Sequence, residues 1–491
     1  MIPTLTAFAK TREFCQTLES HRTQLEHLIS RHLGIPPAEF VLLSQENWVW
    51  GSFNLCLPID IKSTRRTSTL PRQAILRFPL PFRCGEEFSP GNVEEKLRCE
   101  AGTYIWLQKY CPTIPVPRLL AVGFPAAESY TAIEHESLWH QLVWQFQRCW
   151  MWFRGDALVP YFRHERRDSL SDLGYLLLEY VMDGDPLSST WQQHREDRAR
   201  RDNLYRGLSN ILLDLANVPL PRIGSWRLER RGTISLTNRP LLDLTMLWNR
   251  HKIPTGIPRD LTYSSAEPFV SDMLAYQDHR LRFQPNSILG RPDGVFQLSA
   301  LVALRALLPV FWKQDVRDDA FVLTLPDLHQ SNIFVDDDWN IVGVIDLEFA
   351  PVQPQQMVNV PHWLSNKSID ELVGPALEEY KGLYDAFVDI FEEEEAARKV
   401  DHRISRRFRE DWQTGKIWYN DALRSSNGFP LIFEHNIQPR FFAKFDPDVE
   451  GESLLKLWGE NYEEFIAAKI QDKHRYDEDI RAIFAAPRSP A

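Results

Sequence analysis

The chain has 491 residues, 43% apolar and 25% charged, which describes an ordinary globular protein long enough for roughly two to four domains or lobes. A net charge of −11 argues against nucleic-acid binding, whose footprint is basic, and six cysteines without a C-x-x-C pair argue against a dense disulfide framework. The N-terminus MIPTLTAFAKTREF lacks a signal-peptide core and no window approaches 18 consecutive apolar residues, so the expectation is a cytoplasmic protein with reduced thiols and no membrane partner.

Residues 1–35 read as an N-terminal helical extension. Leu18, His21, Leu25, Leu28 and Ile29 recur at helical spacing, and Gly34 with Pro36-Pro37 stops the pattern. From Phe40 the period shortens to that of strands, with apolar runs at 41–43, 47–50, 55–59 and 73–78. Gly51-Ser52-Phe53-Asn54 forms the turn between two of them, placed to lay backbone N–H groups over phosphates. A basic turn, Lys62-Ser63-Thr64-Arg65-Arg66, precedes the strand that carries Arg77. That is where a kinase places its strand lysine, whose helix partner is a glutamate. A helix over 93–107, with Leu97, Ala101, Tyr104 and Ile105 on its apolar side, supplies Glu100.

Residues 124–172 form a long aromatic insert. Trp139, Trp144, Phe146, Trp150, Trp152 and Phe153 lie at helical spacing within it, a stripe that reads as core. A buried strand over 175–182 runs into Asp183-Gly184-Asp185-Pro186, where Gly184 frees the chain to cross between lobes. A helix over 199–216, a hairpin over 222–245 turning at Arg230-Arg231-Gly232, loops over 250–295 with one helix near 268–275, and a helix over 296–308 follow.

Residues 321–350 carry the chemistry. An apolar run feeds Asp327-Leu328-His329-Gln330-Ser331-Asn332; a segment at 333–335, an acidic turn at 336–340 and a second apolar run ending on Asp346 come next. The D-x-x-x-x-N spacing of Asp327 and Asn332 is that of kinase catalytic loops, in which the Asp accepts the substrate hydroxyl proton while the Asn and a later Asp hold magnesium. Asp327, Asn332 and Asp346 are expected at the rims of one small sheet, as oxygen ligands suited to Mg²⁺. Ala350-Pro351-Val352-Gln353-Pro354 reads as a break in regular structure. The remainder is helical, with residues 392–395 a solvated acidic face and 481–491 a disordered tail.

This stretch resembles the aminoglycoside phosphotransferase (phosphotransferase enzyme) family, whose motifs are H-x-D-x-H-x-x-N and I-D-x-E. Here they stand as Leu325-Pro326-Asp327-Leu328-His329-Gln330-Ser331-Asn332, with Leu325 in place of the first His, and Ile345-Asp346-Leu347-Glu348. With Pro115-Val116-Pro117, Ile223-Gly224-Ser225-Trp226 and Pro361-His362-Trp363-Leu364 the likeness spans about 36–475 and resembles the filamentous-fungal branch; the family's eukaryotic members tolerate Arg in place of the strand lysine, as at Arg77.

The resemblance implies an α+β, bilobal, protein-kinase-like fold: a small β-rich N-lobe over 36–182 and a larger, mostly helical C-lobe over 183–480. It implies ATP and Mg²⁺, Asp327 as catalytic base, Asn332 and Asp346 on metal, and Gly51, Ser52, Phe53, Asn54 and Arg77, fixed by Glu100, on the nucleotide phosphates. The Glu179 carbonyl and Val181 amide would meet adenine, and the acceptor would be a hydroxyl of a small molecule: an aminoglycoside, an amino alcohol or another metabolite.

A kinase-shaped scaffold is the alternative. Leu325, Arg77 and the sparse glycine loop favour it, whereas the intact Asp327, Asn332 and Asp346 weigh against it. D-F-G and A-P-E are absent, as are G-x-S-x-G and H-E-x-x-H, which disfavours protein-kinase, serine-hydrolase and zinc-enzyme chemistry.

Overall fold

A computed structural model describes residues 2–62, 70–125, 128–166, 170–312, 320–400, 403–442 and 451–485. Most of the expected basic turn (63–66) and the end of the expected tail (486–491) lie outside the described residues. Residues 481–485 are helical and not tail, because the last helix runs on to Ala485.

The N-terminal half contains α1 (Ile2–Ser20), α2 (Arg22–Leu33), β1 (Phe40–Leu42), β2 (Val49–Trp50), β3 (Asn54–Ile61), β4 (Gln73–Pro79), α3 (Asn92–Tyr110), β5 (Leu119–Gly123), β6 (Glu128–Ala132), α4 (Leu138–Phe153), β7 (Tyr161–Glu165) and β8 (Tyr175–Glu179). The expected single N-terminal helix is thus two, broken at His21, and the second ends on Gly34 in the left-handed region at φ 65°. The strands form one antiparallel sheet in the order β1-β3-β4-β8-β5-β6-β7, with β2 paired on β3.

Alternation decides the layers. Tyr175 and Leu177 of β8 pack with Leu18, Leu25 and Ile29 of the N-terminal helices. Leu176 and Leu178 face the opposite way, into the core that holds Leu97, Tyr104 and Leu107 of α3. The extension therefore roofs one face of the sheet while α3 covers the other.

The chain continues through β9 (Asp185–Pro186), α5 (Leu187–His194), α6 (Arg198–Ala216), β10 (Ser225–Leu228), β11 (Ile234–Asn238), α7 (Asp243–Arg250), α8 (Ala266–Phe283) and α9 (Arg291–Phe311). Then come β12 (Phe321–Leu323), β13 (Ile333–Val335), β14 (Ile341–Val344), β15 (Val352–Pro354), α10 (Pro375–Ala397), α11 (Arg403–Thr414) and α12 (Lys416–Arg424). Shorter helices α13 (Phe429–Ile432), α14 (Gln438–Phe441) and α15 (Gly451–Trp458) precede α16 (Tyr462–Ala485). Helix α9 is apolar enough to cross a membrane by composition, but two thirds of its apolar window (67%) is buried. Its Leu298, Leu301 and Leu304 belong to the main core.

Further sequence expectations change. The β10–β11 hairpin, although it follows residue 183, packs on α3: a Cβ on Gly102 would lie 2.9 Å from the Trp226 and Arg227 backbone. Glu95 of α3 also pairs with Arg239 at 2.8 Å and Arg259 at 2.9 Å. Residues 352–354 are strand and not a break, paired antiparallel with β12. Helix α8 is far longer than residues 268–275, because Pro268 sits in its first turn, where no intrahelical N–H is needed.

The aromatic stripe of α4 is not core. Trp139, Phe146 and Trp152 are 70%, 77% and 72% exposed, and Trp144 alone of the stripe is buried. The acidic run is likewise only partly solvated, since Glu395 is buried and accepts hydrogen bonds from Ile404 N and Ser405 Oγ.

Candidate active site

A cavity of about 860 Å³ opens between the sheet and the helical lobe. Gly51, Ser52, Phe53, Asn54, Arg77, Glu179, Val181, Asp327, Asn332 and Asp346 all line it. Glu100 stands behind Arg77, fully buried. Every sequence-predicted site residue is thus at or directly behind one cleft.

Asp327, Asn332 and Asp346 do not share one sheet as expected. Asp327 follows β12, whose partner is β15, whereas Asn332 and Asp346 flank the β13–β14 ladder, which pairs further with β9. The two ladders meet through the loop itself. Asn332 Nδ2 donates to the Asp327 carbonyl at 2.9 Å and to its carboxylate at 3.1 Å, and Ile345 N donates to the Asn332 carbonyl at 2.9 Å. Asp346 therefore leaves the ladder one residue beyond Asn332's backbone partner. It does so at φ 65°, a conformation that non-glycine residues adopt at a cost and that gathers at functional sites.

Where the family has its first His, Leu325 packs against the core. The loop is propped by other groups: Trp363 Nε1 donates to the Leu328 carbonyl at 2.9 Å, and Ser188 N to the Gln330 carbonyl at 2.9 Å.

Behind the cleft lies a buried charge network that sequence reading saw in part. Arg77 reaches Glu100 at 2.8 Å, Asp346 at 2.5 Å and Glu348 at 3.3 Å. Lys96, one helical turn before Glu100, reaches Glu348 at 2.5 Å and Glu100 at 3.3 Å. Asn54 joins by donating to Glu348 at 2.7 Å and accepting from Lys96 at 2.8 Å. Its side chain is therefore spent on the network. Phe53 packs edge-on against Phe349 with ring centroids 5.0 Å apart, which ties the turn to the Asp346 segment. Gly51 has open space where a Cβ would stand and no positive φ, so the turn does not require glycine there. Glu179 binds Arg118 through its side chain at 2.9 Å.

Three carboxylates, Glu100, Asp346 and Glu348, face two cations, Arg77 and Lys96, so the ionised network keeps one negative charge in excess. Asp327 opens onto the cavity beside it. Desolvation by the cleft walls first, then the charges of Asp346, Glu348 and Asp243, push its carboxyl up to about 7 against the Asn332 hydrogen bond, which lowers it. A carboxylate so poised suits a general base near neutrality. Asp243 at the start of α7 and Asp421 and Arg424 of α12, which sequence reading did not name, complete the cavity together with His362. Burial pushes Asp421 up to about 6, opposed by Arg424 and by a hydrogen bond from Asn359. Apolar walls come from Leu208, Leu212 and Leu215 of α6 with Met357, Val358 and Val360.

The model of the phosphotransferase enzyme family matches residues 62–355. Among solved structures the chain is similar to one titled Macrolide 2'-phosphotransferase type I, at 12% sequence identity and a TM-score of 0.32 over 83% of this chain and 97% of that one. That likeness is too distant to carry an argument about the site. No curated protein matches the chain.

Proposed function

We propose that this chain, which belongs to the phosphotransferase enzyme family, transfers the γ-phosphoryl group of ATP to a hydroxyl of a small, partly apolar molecule. The observation that carries the proposal is the meeting in one cavity of Arg77 with Asp327, Asn332 and Asp346, which lie about 250 residues further along the chain. Asn332 and Asp346 offer the hard oxygens that Mg²⁺ takes from protein, and the excess negative charge of the network behind them favours a cation. Bound there, the ion would neutralise phosphate charge.

The chain's own residues do the rest. Asp327 orients the acceptor hydroxyl and takes its proton as the new O–P bond forms and the bond from the γ-phosphorus to its bridging oxygen breaks. Arg77, held in place by Glu100, meets phosphate oxygens as a fixed cation. The turn at Gly51–Phe53 and the hinge at Glu179–Val181 border the same cavity, next to the sheet where a nucleotide would lie. Positioning and charge neutralisation supply most of the rate in such transfer. The leucines of α6 and the apolar residues at 357–360 favour an acceptor with a substantial apolar body.

The test is turnover of Mg-ATP against a panel of hydroxylated acceptors, with Asp327→Ala beside the wild type. Acceptor-dependent ADP release that the variant loses, with nucleotide binding kept, supports the reading. A second reading, a nucleotide-binding scaffold, is favoured by the Arg77–Asp346 pair, which occupies both groups with each other. Nucleotide binding with no acceptor-dependent turnover in the wild type would select it.

A further inference from the structure

The aromatic insert that the proposed transfer does not use holds a second cluster of ligating side chains. Glu136 lies at the turn into α4, His140 in its first helical turn, and His164 on β7. Both Glu136 oxygens are committed to imidazoles from different elements: Oε2 to His140 Nδ1 at 2.6 Å, and Oε1 to His164 Nε2 at 2.5 Å. One ligand atom from each of the three residues lies within 4.8 Å of the others. Tetrahedral zinc with bonds near 2.0–2.1 Å separates its ligand atoms by about 3.3 Å, so each group needs to move by only about an ångström. Phe162 stacks on His140 at 4.4 Å and meets His164 edge-on at 5.0 Å, which limits the orientations of both rings. His140 retains an exposed edge, which leaves room for water at a fourth position.

We propose that Glu136, His140 and His164 bind one divalent first-row transition cation, zinc foremost, and that the ion pins α4 to the edge strand β7. Two imidazoles and a carboxylate form a donor set that zinc accepts with an open position, and imidazole selects such ions over magnesium or calcium. The site is separate from the cleft. From β4, which carries Arg77, to β7 the sheet crosses β8, β5 and β6, roughly 19 Å at the usual strand spacing. Binding requires neutral imidazoles and an ionised carboxylate, so as the ion enters each ring keeps one proton, on the nitrogen away from the metal, and a ring protonated on both nitrogens releases the other to solvent. No local motif announces the cluster, because Glu136 precedes α4, His140 lies in its first turn and His164 arrives from a strand.

The experiment uses full-length, untagged, chelator-treated protein titrated with Zn²⁺ and, for its visible spectrum, Co²⁺. Cys149→Ser serves as background, since that exposed thiol lies on the same helix. One equivalent is expected to bind, with a cobalt d–d absorption, a raised thermal midpoint and unchanged Mg-ATP binding. His164→Ala and His140→Ala are each expected to weaken binding by at least the roughly 10–100-fold seen for loss of a mere outer-shell partner. Both apo variants should give the same near-ultraviolet spectrum as the apo parent, which shows that the fold is kept. Absence of one-equivalent binding in the parent, or affinity unchanged in the His140→Ala/His164→Ala double variant, overturns the proposal and leaves the cluster a hydrogen-bonded clasp.

Discussion

One arm of the Arg77 guanidinium holds Asp346 at 2.5 Å while the other holds Glu100 at 2.8 Å. The residue offered to phosphate and the residue offered to metal are thus partners of each other, over an excess of negative charge. In the proposed transfer Mg-ATP binding would amount to an exchange: Asp346 would turn to the ion and the freed arm of Arg77 to the phosphates. Asp346→Asn removes the anionic ligand but leaves Arg77 neutralised by Glu100 and Glu348. The fold is expected to survive, while the magnesium-dependent rise in thermal midpoint, about 2.7 kcal/mol at a hundredfold ligand excess, is lost. A shift of full size in the variant would remove Asp346 from the metal site.

Lys96 is expected to matter for stability more than its absence from the motifs suggests. It is fully buried between Glu348 and Glu100. In Lys96→Met, Glu348 keeps only Arg77 at 3.3 Å and the amide of Asn54. Leaving a buried charge short of its partner costs about 3–5 kcal/mol. Urea denaturation of the variant measures this, and a loss under about 1 kcal/mol would place the pair in the weak, surface-like class.

Burial and neighbouring carboxylates raise the Asp327 carboxyl to about 7, and the base proposed there would work only when ionised. Activity is therefore expected to rise with pH through about 7 in kcat/KM, which reports the free enzyme. Asp346 is the leading charge behind the elevation, after burial. The residual activity of Asp346→Asn should accordingly show its limb at lower pH. Asp327→Asn should cost roughly 10²–10⁴ in kcat, the range of general-base catalysis. A wild-type limb near pH 4 would show Asp327 to be relaxed and solvated during turnover.

How far the sequence could foretell this site follows from which interactions are local. The β13–β14 hairpin and the D-x-x-x-x-N loop were legible because turn, alternation and spacing all lie within a few tens of residues. The Arg77–Glu100 pair was legible by analogy of order. Lys96 sits one turn from Glu100 and was visible in principle, but nothing local said that Glu348 would arrive between them. The β12–β15 ladder was hidden because Pro351 and Pro354 mask a strand whose partner lies about 30 residues back. Helix α4 failed for a deeper reason: periodicity shows that a face is apolar, not what the face meets.

Trp363 is expected to do the work of the missing histidine at Leu325. Its indole N–H donates to the Leu328 carbonyl at 2.9 Å and its ring meets His329 at 5.7 Å. Trp363→Phe keeps most of the packing and removes the donor, a loss of about 1 kcal/mol. Because the loop positions Asp327, kcat should fall several-fold with Mg-ATP binding unchanged. An unaltered kcat would show that the loop holds its shape through Asn332 and Ser188 without the indole.

Gly102 tests whether the β10–β11 hairpin governs the nucleotide lobe. A Cβ there meets the Trp226–Arg227 backbone at 2.9 Å, too close for either side to absorb without moving. Gly102→Ala should destabilise by about 1–3 kcal/mol, as overpacking does, and should disturb Glu100 two residues earlier. Gly382→Ala in α10, where nothing lies within 4 Å, is the control. It should stabilise by about 0.5–1 kcal/mol, since alanine replaces glycine inside a helix. Parallel behaviour of the two would remove the hairpin contact as the cause.

His32 makes the N-terminal layer sensitive to acid. Its Nδ1 lies 2.7 Å from Thr131 Oγ1 and its Nε2 2.6 Å from Tyr175 Oη, so one fully buried ring ties α2 to β6 and β8. Burial first, and then the positive charges of Arg31, His164, Arg166 and His135, hold it well below the ordinary imidazole value. The sign follows from linkage. As pH falls below about 6.5, the unfolded chain gains a proton at His32 that the folded chain refuses, so stability is complete above that pH and drains away below it. The slope is about 1.4 kcal/mol per pH unit until the folded ring itself titrates. His32→Gln keeps a donor and an acceptor without a titrating group. It should therefore be less stable than the wild type at about pH 8, where the imidazole fits best, and should lose less between about pH 6.5 and 5. Urea midpoints of both proteins across that range decide it: equal losses would assign the acid sensitivity to other groups, and a flatter curve in the variant assigns it to this ring.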